Sequence, residues 1–337
     1  MMNVVVCEQP YRLALSRAEI PIRGEDEVLL RVRRVGICGT DMHIVRGVQP
    51  FLSYPRVMGH ELAGEVVEAP AGSSLAKDDA VYVMPYLSCG RCAPCRKGLT
   101  NCCANIQVLG VHRDGALAEY LAVPQRFVCK AEGISLDEAA MAEFLAIGAH
   151  AVRRAAVKPG ERALVVGAGP IGMAAALFAQ ADGASVCVVD SRADRIAFCK
   201  QHLGAEHALL VSDRLEDELL QISGGDLFDA AFDATGNANA MSAGFDHLAH
   251  GGRYVFLSIV TDRISFSDPD FHRREMTLMA SRNATLTDFD RVVRAMREGR
   301  VPTQALNTHR TRLDTLPEVL PTWMLPETGV IKGIVEC

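Results

Sequence analysis

Val165-Val166-Gly167-Ala168-Gly169-Pro170-Ile171-Gly172 decides the fold. An apolar strand, Ala163-Leu164-Val165-Val166, runs into a G-x-G-x-x-G turn and then into 170–182, an Ala-rich stretch that reads as a helix. The first glycine makes the tight turn, the second lets backbone approach a pyrophosphate, and the third lets helix and strand pack closely. The helix N-terminus offers free N–H groups and the positive end of its dipole to the phosphates. A second strand, Ser185 to Val189, leads to Asp190, 23 positions after Gly167. A carboxylate there accepts both ribose hydroxyls and repels a 2′-phosphate. The reading is NAD binding, with NADP disfavoured, by Gly167, Gly169, Pro170, Ile171, Gly172 and Asp190. Arg195 and Thr235 are further candidate cofactor contacts.

Outward from this turn, strands and helices alternate. Helices are expected over 192–203 and 238–249, and strands over Phe228 to Phe232, Tyr254 to Ser258 and Thr277 to Ala280. That spacing implies a doubly wound parallel sheet with helices on both faces. Upstream the pattern is different. Short β candidates at Val28 to Val35, Gly64 to Glu68 and Ala80 to Met84 are separated by turn glycines, as in a β-rich domain with long functional loops. Val28 to Val35 alternates only partly and reads as a strand near an edge. Asp137 to Val157 reads as one helix, and Thr287 to Glu298 as another. The expected division is a β-rich domain over 1–147 and 287–337, interrupted by the dinucleotide-binding domain over 148–286.

With 337 residues, 49% hydrophobic and 23% charged, the composition is that of an ordinary globular protein. A net charge of -6 has the wrong sign for a nucleic-acid binder. The uncharged run 163–181 is long enough to span a membrane, but its glycines and Pro170 make strand, turn and helix the better reading. The N-terminus lacks the pattern of a signal peptide, so a cytoplasmic location is expected.

Five of the 11 cysteines crowd into 89–103. An odd count with this clustering argues for thiolate–metal chemistry in a reducing compartment. Cys89, Cys92, Cys95 and Cys103 have the spacing C-x2-C-x2-C-x7-C and can close a tetrahedron around a structural zinc. Cys102 competes with Cys103 for the fourth place. Three distant pieces supply candidates for an open, catalytic zinc site: Cys38, the His60-Glu61 pair, and Glu143.

Gly36-Ile37-Cys38-Gly39-Thr40-Asp41, Gly59-His60-Glu61-Leu62-Ala63-Gly64, the cysteine loop and the glycine turn together resemble the zinc-dependent medium-chain dehydrogenases. The resemblance runs over nearly the whole chain. Tyr54 to Glu61 and Gln107 to Gly115 are similar to the polyol and sugar-acid branch, which includes sorbitol, threonine and L-gulonate or L-idonate dehydrogenases. It implies a GroES-like β-rich catalytic domain with an inserted Rossmann domain and the active site in the cleft. It implies two zinc ions per chain, with Cys38 and His60 on the catalytic one. Glu143 stands where alcohol dehydrogenases carry a second cysteine, and Phe144 departs from the usual proline. Thr40 and His43 are implied as a proton relay, and Asp41 is a candidate partner for the His60 ring. His112 and Arg113 are candidate substrate contacts, and Lys332 a candidate for the cofactor pyrophosphate. His150 reads as structural. The implied activity is hydride transfer from a secondary alcohol of a small polyol or sugar acid to NAD. The implied assembly is a homodimer or homotetramer joined through an edge strand at Met276 to Ser281. The alternatives are a simple-alcohol or threonine-type dehydrogenase, and a nucleotide-binding or sensing homologue without catalysis.

Overall fold

The computed structural model describes residues 1–337. Contacts divide the chain into two compact units, Met1–Glu143 with Thr285–Cys337, and Phe144–Ala284. No helix is long and apolar enough to cross a membrane. The uncharged run supplies strand Arg162–Val166 and helix Pro170–Ala181.

The second unit is a six-stranded, all-parallel sheet. Across it lie His207–Leu210, Ser185–Asp190, Arg162–Val166, Phe228–Asp233, Leu248–Phe256 and Thr277–Ala280. Arg162–Val166 is therefore the strand from which the chain first winds one way and then the other. The crevice beyond the carboxyl end of such a strand is where open α/β sheets bind ligands. The apolar run of this strand follows from its position: Ala163, Leu164 and Val165 are each fully buried, as expected of a strand covered on both faces.

Three elements of this unit escape the sequence pattern, the short strand His207–Leu210 and helices Leu215–Ile222 and Asp268–Arg273. One expected helix is too long. The helix at 238–249 stops at Ala243, and after a 3-10 turn Leu248 begins the next strand. Gly244 lies at the break, where a Cβ would sit 1.9 Å from the Tyr254 hydroxyl oxygen.

The first unit is built on a seven-stranded sheet. Val128–Lys130, Ala80–Val83, Glu61–Glu68, Glu27–Ile37, Lys332–Glu336 and Asn307–Arg312 follow one another across it, and Tyr120–Pro124 also pairs with Glu27–Ile37. The reading of 28–35 as an edge strand is corrected here, because Glu27–Ile37 has partners on both sides. Its weak alternation reflects burial on both faces towards its C-terminal end, where Val35, Gly36 and Ile37 are all buried. Strands Met2–Gln9 and Arg12–Ala18, not anticipated, form a smaller sheet with Arg56–Val57. Leu30, Val32, Val35, Leu62, Leu117 and Trp323 lie in the unit's core.

The single helix expected at 137–157 is two. Ser135 caps Leu136–Ala140 through a reciprocal bond with Glu138, and Met141 ends it. Ala142–Ala155 then starts afresh, with Glu143 in its first turn.

Candidate active site

The central strand Glu27–Ile37 delivers the chain to Cys38, which caps helix Gly39–Arg46. Asp41, in the first turn, accepts the Cys38 N–H on Oδ2 at 2.9 Å and the Gly59 N–H on Oδ1 at 3.1 Å. One buried carboxylate thus fastens the backbone at Cys38 to the backbone just before His60. The expected contact of Asp41 with the His60 ring is not a hydrogen bond, because Oδ1 is 3.9 Å from Nδ1. Asp41 orients the two loops instead of the imidazole. Burial raises its carboxyl pKa, against the opposing pull of His60.

Cys38, His60 and Glu61 place one donor atom each within 4.8 Å of one another. Thiolate, imidazole and carboxylate are the donor types of open zinc sites. The surroundings fit a cation as well. His60 is 4% exposed, and its Nδ1 has no hydrogen-bond partner. Burial opposes a charged His60 ring, yet Cys38, Asp41 and Glu143 outweigh it and lift the pKa well above the ordinary value. A cation among these donors would satisfy the same negative field.

Glu61 reaches this cluster from one neighbour of the central strand, and Lys332 from the other. Residue Gly36 lies opposite Glu61 in the ladder, and a Cβ on it would come 2.2 Å from Glu61 Oε2. Across that missing side chain the Lys332 ammonium donates to Glu61 Oε1 at 2.7 Å and Oε2 at 2.6 Å, and to the Ile37 carbonyl at 3.1 Å. Both side chains are almost wholly buried. The expectation of Lys332 at a cofactor pyrophosphate is corrected: these three bonds use the three donors of an ammonium, and the side chain is sealed from solvent. Burial works against its charge, but Glu61 and Cys38 raise its pKa above the ordinary lysine value.

Glu143 is not among the three grouped donors. It is 3% exposed, and its Oε1 accepts the hydroxyl proton of Tyr86, which lies in the short strand Tyr86–Leu87. Its Oε2 is buried with no partner. Burial pushes its pKa up to about 7, opposed chiefly by His60.

The second candidate metal site is a separate loop. Cys89, Cys92, Cys95 and Cys103 bring their sulfurs within 4.8 Å of one another, whereas Cys102 is exposed outside the group. Cys92 Sγ is 3.4 Å from Cys95 Sγ and 3.8 Å from Cys103 Sγ, far beyond disulfide length. Backbone N–H groups of Arg91 and Cys92 lower the Cys89 pKa to about 6, which favours the thiolate that a metal needs. Arg126 ties the loop to the unit by donating to the Ser88 carbonyl at 2.8 Å.

In the second unit the glycine turn has the shape its sequence demands. Gly167 adopts φ +96°, and a Cβ at Gly172 would lie 1.8 Å from the Gly167 carbonyl oxygen. At Gly169, the cap of helix Pro170–Ala181, a Cβ would meet nothing within 4 Å. The open face beside that helix N-terminus is a cradle suited to a pyrophosphate. Asp190 accepts the Ala168 N–H at 2.6 Å and the Arg192 N–H at 2.8 Å, so its carboxylate is fixed at the mouth of the turn. Arg195 is 7% exposed, and burial lowers its pKa. Thr235 bonds Asp233 through both N–H and hydroxyl, at 3.0 and 2.8 Å.

The remaining candidates lie further out in the first unit, apart from His150. Thr40 and His43 follow Cys38 on its helix, with Thr40 half-buried and His43 exposed. His112 is exposed, stacks on Phe51 at 6.3 Å, and accepts the Val108 N–H on Nδ1. Arg113 lies 3.9 Å from Glu27. His150 is buried in helix Ala142–Ala155, 3.1 Å from Arg153. Sequence reasoning missed Tyr86 and the true role of Lys332. The only available hint was Gly36, a glycine within a strand, which marks close approach by a neighbour.

Known proteins share this architecture. A family model described as an alcohol dehydrogenase GroES-like domain matches residues 24–133, and one described as a zinc-binding dehydrogenase matches 170–298. The L-galactonate-5-dehydrogenase of Escherichia coli strain K12 is 45% identical over 339 residues, covering 99% of this chain and 98% of that protein. An alcohol dehydrogenase of E. coli CFT073, solved with NADH, superimposes with a TM-score of 0.93 at 27% identity, covering 100% of this chain and 99% of that one. A zinc-binding dehydrogenase of Sinorhizobium meliloti 1021, solved with NADP, gives 0.92 at 27% identity with the same coverage.

Proposed function

This chain belongs to the zinc-binding alcohol dehydrogenase family, and we propose that it oxidises a secondary alcohol of a sugar acid to the ketone, reversibly, with NAD as acceptor. The convergence of Cys38, His60 and Glu61 carries the reaction class. The 45% identity to L-galactonate-5-dehydrogenase over nearly the full chain supports a sugar-acid substrate.

Two zinc ions per chain are proposed. One is held by Cys38 and His60 with a carboxylate from Glu61 or Glu143, and the other by Cys89, Cys92, Cys95 and Cys103. When bound, the first acts as a Lewis acid that makes the substrate hydroxyl more acidic, and NAD takes up the hydride. The balance is alcohol plus NAD+ giving ketone, NADH and one proton.

The chain's own residues hold the reactants and move that proton. Asp41 keeps the Cys38 and His60 loops in register. Lys332 balances the charge of Glu61. Thr40 and His43 pass the proton from the carbinol oxygen towards solvent, a task suited to an imidazole. His112 and Arg113 engage the substrate, the guanidinium matching a carboxylate in two-point contact. Gly167, Gly169, Pro170, Ile171 and Gly172 bind the pyrophosphate, helped by Thr235 and Arg195. Asp190 accepts the ribose hydroxyls and disfavours NADP.

A homo-oligomer is proposed through Thr277–Ala280, an edge strand with one neighbour, whose Leu278 is 39% exposed. All 11 cysteines are free, which suits the cytoplasm. The deciding experiment is an NADH-production screen across aldonic acids, hexitols, simple alcohols and threonine. Turnover of threonine or ethanol with none of any aldonic acid would remove the substrate assignment.

A further inference from the structure

The two carboxylates near Cys38 and His60 are held by different chemistry. Glu61 has both oxygens on the Lys332 ammonium. Glu143 has only one oxygen engaged, by a neutral phenol. Its other oxygen is buried and unpartnered, an arrangement that costs stability unless something completes it. The charged groups that act on Glu143 are His60, Glu61 and Lys332, all members of the cation-holding cluster or its immediate support.

We propose that Tyr86 is a positioning residue for the catalytic centre, its hydroxyl holding Glu143 by Oε1 so that Oε2 is presented to the cation site of Cys38, His60 and Glu61. This rests on the reading of that cluster as a zinc site. The Tyr86 ring is well placed to act as a rigid strut. It is 6% exposed and packs at 6.4 Å from Phe289, which in turn stacks on Tyr82 at 5.9 Å. The phenol has only two χ angles, and burial with this ring contact restricts how far the hydroxyl can swing from Glu143. A carboxylate clamped at one oxygen offers only the other oxygen to a metal or its water, which limits coordination geometry as partners behind a ligand commonly do.

The test uses the full-length, zinc-loaded protein and four variants: Tyr86→Phe, Glu143→Gln, the double variant, and Cys38→Ser. Tyr86→Phe keeps the ring and its packing, so the fold is retained. Zinc retention is measured by chelator competition, and the Cys38→Ser protein, which keeps only the four-cysteine ion, identifies the release step of interest. Cobalt is then substituted and the visible d–d spectrum recorded. The expected result is that Tyr86→Phe weakens zinc retention about 10- to 100-fold and shifts the cobalt bands. In the Glu143→Gln background the same change does neither, because the hydroxyl acts through Glu143. Wild-type retention and spectrum in Tyr86→Phe overturn the proposal, as does an undiminished effect in the double variant. If Cys38→Ser itself loses no zinc, the reading of the cluster fails instead.

Discussion

Lys332 and Glu61 meet inside the first unit at 2.6 and 2.7 Å, an ammonium across both oxygens of a carboxylate, although they lie 271 positions apart in sequence. Removing one member of such a buried pair strands the other as an uncompensated charge. Lys332→Met is expected to lower unfolding stability by about 3–5 kcal/mol, and adding Glu61→Gln to recover most of it. Denaturant unfolding of the two variants checks this. A single Lys332→Met protein as stable as the parent would show that the pair is not energetically coupled.

Cys38→Ser is expected to cut turnover about 1000-fold, since a Lewis acid supplies several kcal/mol of stabilisation to the reacting oxygen. NADH binding, followed by fluorescence, should stay within about twofold because the glycine turn belongs to the other unit. Unchanged turnover would defeat the mechanism.

For the structural centre, the geometry separates two adjacent cysteines. Cys103→Ser should lower metal content from about two zinc per chain to about one, while Cys102→Ser should leave it unchanged. Elemental analysis distinguishes them, and the reverse pattern would reassign the fourth ligand. Loss of that ion should also open residues 89–103 to protease, because the loop has little apolar core of its own.

Asp190→Ala removes the carboxylate fixed by the Ala168 and Arg192 amides. The NADP-to-NAD ratio of kcat/KM is expected to rise about tenfold, the equivalent of one lost charge contact of about 1.4 kcal/mol. A ratio that does not move would exclude Asp190 as the discriminating group.

Asp137 accepts from Arg34 at 2.7 Å and is also bonded by Arg310. Burial raises its carboxyl pKa, but the hydrogen bonds from Arg310 and Arg34 outweigh burial and hold it below the ordinary value. The ionised form is thus favoured in the folded state. Its contribution is complete above the unfolded aspartate pKa of about 3.9 and is lost as pH falls through the lower folded value. The site is part-exposed and screened, so Asp137→Asn should cost about 1 kcal/mol at pH 7 and progressively less as pH falls through the lowered folded value. Unfolding midpoints of the two proteins against pH test this, and parallel curves at all pH values would contradict it.

The dinucleotide turn could be read from sequence because its constraints are local. Gly167, Gly169 and Gly172 are dictated by backbone within a few positions, and Asp190 ends the next strand. The four-cysteine loop was legible for the same reason, although choosing Cys103 over Cys102 required the coordinates. The catalytic cluster depended on distance. Cys38, His60 and Glu143 could be named as candidate ligands, but nothing along the chain shows that Glu61 is occupied by Lys332 or that Glu143 rests on Tyr86. The first contact follows from strand order in the sheet, which brings Lys332–Glu336 beside Glu27–Ile37, and the second from the meeting of strand Tyr86–Leu87 with the first turn of helix Ala142–Ala155. The overlong helix at 137–157 has a similar cause. Ala-rich composition favours helix throughout, and only the Ser135 cap and the stop at Met141 reveal the break.

The placement of Lys332 has a consequence for biogenesis. During translation Glu61 and its strand emerge early, while the residue that balances Glu61 is delivered only after the whole intervening unit, Phe144–Ala284, has been made. Domains tend to fold as they emerge. Burial of Glu61 in its final place must therefore wait for the returning strand to dock, so nascent copies truncated before Lys332 should depend on chaperones more than the finished protein does.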